Sequence, residues 1–165
     1  MNPLQQLIVR ILLLVIFIAP GASGADEEPG APGAALTAYY QALKSGDTEA
    51  ASKLTASFKS IPAGYLEKYT AKYAEGAKAG KLVIVLVPGA SKVERDCAVV
   101  VFKDGDKQRP DYDPAYLLKQ DGAWKVLLKL TQWDHLAFDL TADQKTRFAA
   151  LEQWFDKEKD RLYGR

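Results

Sequence analysis

Three groups of side chains in this sequence have types and spacings that could do chemistry. The first lies in "VERDCAVV", where Glu94 and Asp96 are two residues apart. On an extended strand that spacing sets both carboxylates on one face, with Arg95 and Cys97 on the other. If that face looked into an apolar cavity, the pair would have raised pKa values and serve as general acid and base. If it formed the solvated end of a strand, the same residues would be charged surface. The second group is His135, the one histidine, beside Asp134 in "QWDHLAF". Strand neighbours point to opposite faces, so this pair cooperates only where the strand has already ended. Trp133 and Ala137, two positions away, cannot assist an imidazole. A lone histidine without a cysteine partner also lacks the usual ligand set of a metal site.

The third group is aromatic. Tyr65, Tyr69 and Tyr73 fall at i, i+4 and i+8, with Tyr39 and Tyr40 on an earlier helix. A wall of rings with hydroxyl tips suits a flat apolar ligand carrying one or two polar groups. Core packing accounts for the same spacing. Tyr40, Tyr69, Tyr73 and Trp124 are the candidate ligand contacts, and Glu94, Asp96 and His135 the alternative acid–base set. There is no phosphate loop, Ser-His-Asp order or nucleotide fingerprint, and no cofactor or metal is implied. Cys97, the one cysteine, cannot pair within the chain, and in "CAVVVF" it reads as a buried small hydrophobe. Arg95 on its strand face offers the alternative of a stabilised thiolate.

The elements that must position these groups begin after an export signal. "ILLLVIFIAP" follows the single positive charge of Arg10, and small residues at Ala22 and Gly24 suit cleavage before Ala25. The uninterrupted apolar run from Ile11 to Ala19 is short of the ~20 residues that span a bilayer, which favours cleavage over a retained anchor. The expected location is the periplasm or the exterior of a bacterium. Removing residues 1–24 from the 165 leaves 141, about one domain, with a core of ordinary size. The chain carries 22 basic and 21 acidic side chains, and loss of Arg10 makes the remainder formally neutral. That excludes the basic excess that holds nucleic acid or an anionic membrane.

Residues 25–33, acidic and rich in Pro and Gly, read as a disordered leader. In "AALTAYYQALKSGDTEAASKL" an apolar stripe of Leu36, Tyr39, Tyr40 and Leu43 stops at Gly46-Asp47 and resumes with Ala51, Leu54 and Phe58. Glycine suits the left-handed end of one helix and aspartate the start of the next. A third helix is expected from Tyr65 to about Ala79. After Gly80 the period changes. "KLVIVLV" reads as a strand covered on both faces, "PGAS" at 88–91 as a turn, and Lys92 to Lys103 as a second strand. "AYLLKQ" and "AWKVLLKLTQW" form a hairpin about Asp121-Gly122. Thr141 and Gln144 make a capping box for a helix to about Leu162, with Phe148, Leu151 and Phe155 on its buried side.

The stretches "YYQALKSGDTEAASKL" and "YLLKQDGAWKVLLKL" resemble the nuclear transport factor 2-like superfamily, especially its small exported bacterial domains. The resemblance runs from Ala34 to about Trp133. It implies an α+β fold in which three N-terminal helices pack in a curved, cone-like antiparallel sheet of four strands, with the C-terminal helix (141–162) as an addition to a single domain over 34–165. It also implies a pocket at the wide end of the cone. Members include enzymes such as ketosteroid isomerase and scytalone dehydratase, alongside domains that bind a small molecule or a partner. Three functions are therefore in view. A non-catalytic binding module would hold a small apolar ligand or a peptide. A small isomerase or dehydratase would use Glu94, Asp96 or His135. An assembly subunit, including a homodimer, would dock through the C-terminal helix.

Overall fold

Proline cannot donate in the first turn of a helix and loses nothing there, so the chain enters its first helix at Pro32. The structure, a computed structural model, describes residues 30–62, 64–105, 111–128 and 139–164. Helix α1 spans Pro32–Ser45, which takes Pro32 and Gly33 out of the expected leader and buries both. Gly46 ends it with φ 79°, while the N–H groups of Gly46 and Asp47 donate to the carbonyls of Leu43 and Ala42. That pair of bonds is a Schellman end. The Asp47 carboxylate then accepts the Ala50 N–H at 2.9 Å and opens α2, Thr48–Lys53. The corner read from the sequence is there. Helix α3 covers Tyr65–Lys78.

The sheet differs from expectation at its first strand. Strand β1 runs Val85–Glu94 straight through "PGAS", and the reversal comes later, at Arg95-Asp96. The register passes from Leu86 opposite Phe102 to Ser91 opposite Val100, so Pro88 and Gly89 sit in a bulge. Proline has no N–H for the ladder, and β1 is an edge strand, where such a defect is tolerated. The real turn lacks a sequence signal because Arg95 occupies the left-handed region (φ 58°) that glycine usually fills. The strand buried on both faces is also not Leu82–Val87, which is half-buried, but β2, Cys97–Lys103, buried from Cys97 through Val101.

Strand β3, Tyr112–Gln120, and β4, Ala123–Val126, join through Asp121 (φ 51°) and Gly122 (φ 80°), the two positive angles of a type I′ turn. The four strands are antiparallel in chain order, forming a curved, unclosed sheet. Helix α4, Ala142–Leu162, opens on the expected capping box: the Gln144 N–H donates to Thr141 Oγ1 at 3.2 Å, and the Thr141 N–H to Gln144 Oε1 at 3.0 Å.

Alternation along β2 and β3 then divides the core. Ala98, Val100, Ala115 and Leu117 face α1–α3 with Trp124 and Val126, whereas Cys97, Val99, Tyr116 and Leu118 face α4. Phe148 and Leu151 fill that second side, and Phe155 extends it over Val101. The sheet is an α+β sandwich layer, helices on both sides.

Candidate functional site

The first candidate group sits at the corner where the β1–β2 turn meets the start of α4. Asp96 is in the turn and not in a strand, so it does not share a strand face with Glu94 as the spacing had implied. Its carboxylate accepts Gln144 Nε2–H at 2.8 Å and lies 3.5 Å from Arg147 Nε. Glu94 pairs instead with Lys92 at 3.1 Å. Beside them an open pocket of about 250 Å³ is lined by Glu94, Arg95, Asp143, Thr146 and Arg147. It lies against α4, away from the cluster formed by the first three helices.

A general acid held in an apolar wall would have a raised pKa. Asp96 is shifted the other way, lowered first by the Gln144 hydrogen bond and further by the nearby Arg147 charge, with burial opposing. It stays ionised and fastens a turn to a helix. The sign of its linkage follows. A carboxyl whose folded pKa lies below its ordinary 3.8 adds stability above that value and loses it as pH falls through the folded pKa. In thermal melts from pH 7 to 2, Asp96→Asn is therefore expected to be slightly less stable near neutrality, by under about 1 kcal/mol for so solvent-screened a site. The two proteins should converge at the acid end. A gap that widened on acidification would contradict the assignment.

Cys97 is fully buried, and burial followed by the Asp96 charge pushes its thiol up to about 12, outweighing Arg147. The thiolate alternative, with Arg95 as its stabiliser, fails for that reason. Arg95 is in the turn and does not share a strand face with the cysteine. His135, with Asp134, lies outside the described residues.

The tyrosines assemble differently. Tyr40 and Trp124 are buried, and Tyr69 and Tyr73 half-buried, all in or against the apolar cluster between α1–α3 and the sheet. The Tyr40 hydroxyl donates to the Leu82 carbonyl at 3.3 Å. The Tyr65 and Tyr69 rings meet at a tilt of 40° with centroids 4.4 Å apart, and the Lys119 ammonium stands 5.8 Å from the centre of the Trp124 ring. The residue that stands out is Tyr39, one position from a candidate contact. It is 4 % exposed, and among the described residues its buried hydroxyl has no hydrogen-bond partner. Burial, then the Tyr73 hydroxyl, pushes its pKa up, so it remains a protonated donor. In the sequence Tyr39 was one member of an apolar stripe, and nothing there marks its oxygen as stranded. Leaving such a group unsatisfied costs about 1–3 kcal/mol.

Solved structures similar to this chain include two NTF2-like proteins. One is an NTF2-like protein of Campylobacter jejuni provisionally described as a transpeptidase, at 18% identity and TM-score 0.47, covering 59% of this chain and 98% of its own. The other is a protein of the NTF2-like family from Streptomyces avermitilis provisionally described as a dehydratase, at 18% identity and TM-score 0.42, covering 57% of this chain and 86% of its own. The likeness is one of fold. No family model matches the sequence, and no curated protein matches it. The activities in those two descriptions belong to those two proteins and carry nothing across at this identity.

Proposed function

We propose that this chain is an exported binding module that holds a small, largely apolar molecule between its first three helices and the sheet. The observation that carries the reading is the stranded Tyr39 hydroxyl in an apolar, tyrosine-rich interior. A buried donor with no partner is a cost that a bound molecule would remove. The half-buried Tyr69 and Tyr73 beside it supply ring surface at low conformational cost, as ligand walls commonly do.

Two alternatives have less support. The acid–base reading needs carboxylates aimed into that interior, and Asp96 is ionised, lowered and tied to α4 on the other side. The docking reading needs a free apolar stripe on α4, and Phe148, Leu151 and Phe155 are spent against the sheet. Export rests on the N-terminal signal pattern alone.

Native mass spectrometry of the protein, purified from its own source without detergent, tests the proposal. The expected spectrum shows a bound mass of a few hundred daltons, on the scale of a drug-sized pocket, that is lost on collisional activation. A spectrum of bare protein alone, together with a stoichiometric complex with a second polypeptide, would replace the small-molecule reading with a protein-partner one.

A further inference from the structure

From two arginines whose donors are unspent, we infer that the cavity at the start of α4 binds a singly charged carboxylate between Arg95 and Arg147. This site is separate from the interior between the first three helices and the sheet, and it does not rest on the binding reading above. Its walls come from two places, Glu94 and Arg95 at the β1–β2 reversal and Asp143, Thr146 and Arg147 on the first turns of α4. At about 250 Å³ it is smaller than the ~300–1,000 Å³ of drug-sized sites, a space for one small group.

The Arg147 side chain is 19 % exposed, and its buried Nε has no hydrogen-bond partner among the described residues. Two carboxylates stand near it, Asp96 at 3.5 Å from Nε and Asp143 at 3.8 Å from Nη2. Both are ion-pair distances, longer than the ~2.7–2.9 Å of a charge-assisted hydrogen bond. The Asp96 carboxylate is meanwhile committed to Gln144 at 2.8 Å. The charge of Arg147 is thus balanced while its planar fork of N–H donors is left open. Arg95 is a second, independent sign. Its φ of 58° lies in the left-handed region, where a side chain crowds its own backbone and glycine is favoured. The side chain is exposed and, among the described residues, makes no hydrogen bond or ion pair to offset that conformation. Strain held at a residue with no structural partner points to a use for the side chain itself.

The neighbouring anions set the charge of the ligand. Lys92 neutralises Glu94 at 3.1 Å, so the two guanidinium groups face two remaining carboxylates, Asp96 and Asp143. A phosphate dianion would add two charges to that pair and be repelled by it. A cation would have to compete with Arg147 for both. A carboxylate brings one charge and two coplanar oxygens, the shape an arginine fork takes bidentately.

Butyrate, titrated at constant ionic strength into isotope-labelled protein expressed from the full chain, tests the site by nuclear magnetic resonance. The signals followed are the Arg147 Nε–H, shielded from solvent by its burial, and the Thr146 amide. Butyrate is expected to move both saturably, with a Kd on the order of 1–10 mM for so open a site. Butylammonium and inorganic phosphate should bind at least about tenfold more weakly. N-acetylglycylglycine offers the same group at a peptide end. Tighter binding than butyrate would name a peptide C-terminus as the source of the carboxylate, and weaker binding a free acid. Arg95→Gly removes the side chain and the strain together, so it should raise the melting temperature by about 2–4 °C while weakening butyrate about tenfold. Arg147→Lys keeps the charge, loses the fork and should weaken butyrate about as much. Phosphate or butylammonium binding as tightly as butyrate overturns the carboxylate assignment. The site itself is overturned by the absence of any saturable shift with the carboxylates. It is overturned equally by an Arg95→Gly protein that binds butyrate unchanged or melts below the parent.

Discussion

Phe148→Ala is expected to destabilise the protein by about 3–5 kcal/mol, the usual cost of emptying a buried aromatic site. Its ring is 3 % exposed and meets Tyr116 edge-on, with centroids 6.1 Å apart and planes at 83°. That edge-to-face contact adds to the loss beyond the area term. Domains of this size keep only about 5–15 kcal/mol in hand, so the change should lower the melting temperature by roughly 10–20 °C. Urea unfolding followed by tryptophan fluorescence measures it directly. Gln153→Ala, on the exposed side of the same helix, should stay within about 0.5 kcal/mol of the parent. The contrast decides what α4 is for. A helix kept free to dock a partner would tolerate alanine at 148 in the isolated protein, and an unmoved midpoint would restore that role.

The parts of this fold that were readable in the sequence are those with a local cause. The Gly46-Asp47 corner, the Asp121-Gly122 turn and the Thr141–Gln144 box each follow from one or two residues whose backbone or side chain admits few alternatives. The β1–β2 reversal was not readable, because Arg95 adopts an angle that its residue type disfavours while the nearby Pro88-Gly89 imitates a turn. Which strand is central depends on its neighbours, and an apolar run at 82–87 does not reveal that one side of β1 is open.

The sites divide on the same principle. Spacing placed the tyrosines correctly on one helical stripe, yet the informative atom is the Tyr39 oxygen. What makes it informative is that no hydrogen bond reaches it among the described residues, a tertiary fact. Spacing misread Asp96 for a related reason. A period of two holds only while the strand lasts, and the strand ends at Glu94, two residues earlier, bringing the carboxylate round to Gln144 and Arg147. The proposal of export, by contrast, draws on sequence alone, in a segment outside the described residues.

The two-sided sheet makes an expectation that a one-sided sheet would not. Leu117 and Leu118 are chain neighbours on β3, 0 % and 3 % exposed, and they face opposite layers. Each alanine replacement should cost about 2–5 kcal/mol. In a half-covered sheet only one of the two would matter, because its neighbour would point into water. The layers can also be separated by coupling. Leu118 shares a cluster with Phe148, whereas Leu117 belongs with α1–α3. Residues that border one cavity relax together, so their effects do not add, while residues with no common partner add to within about 0.5 kcal/mol. Milder changes keep the double variants folded. Phe148→Leu combined with Leu118→Val should depart from additivity by more than that margin, and Phe148→Leu with Leu117→Val should not. Equal coupling in both pairs would mean that the sheet transmits strain between layers as one core. In that case a ligand bound among the tyrosines would also tighten α4, which amide hydrogen exchange along 142–162 would reveal on adding an apolar fluorescent probe such as N-phenyl-1-naphthylamine.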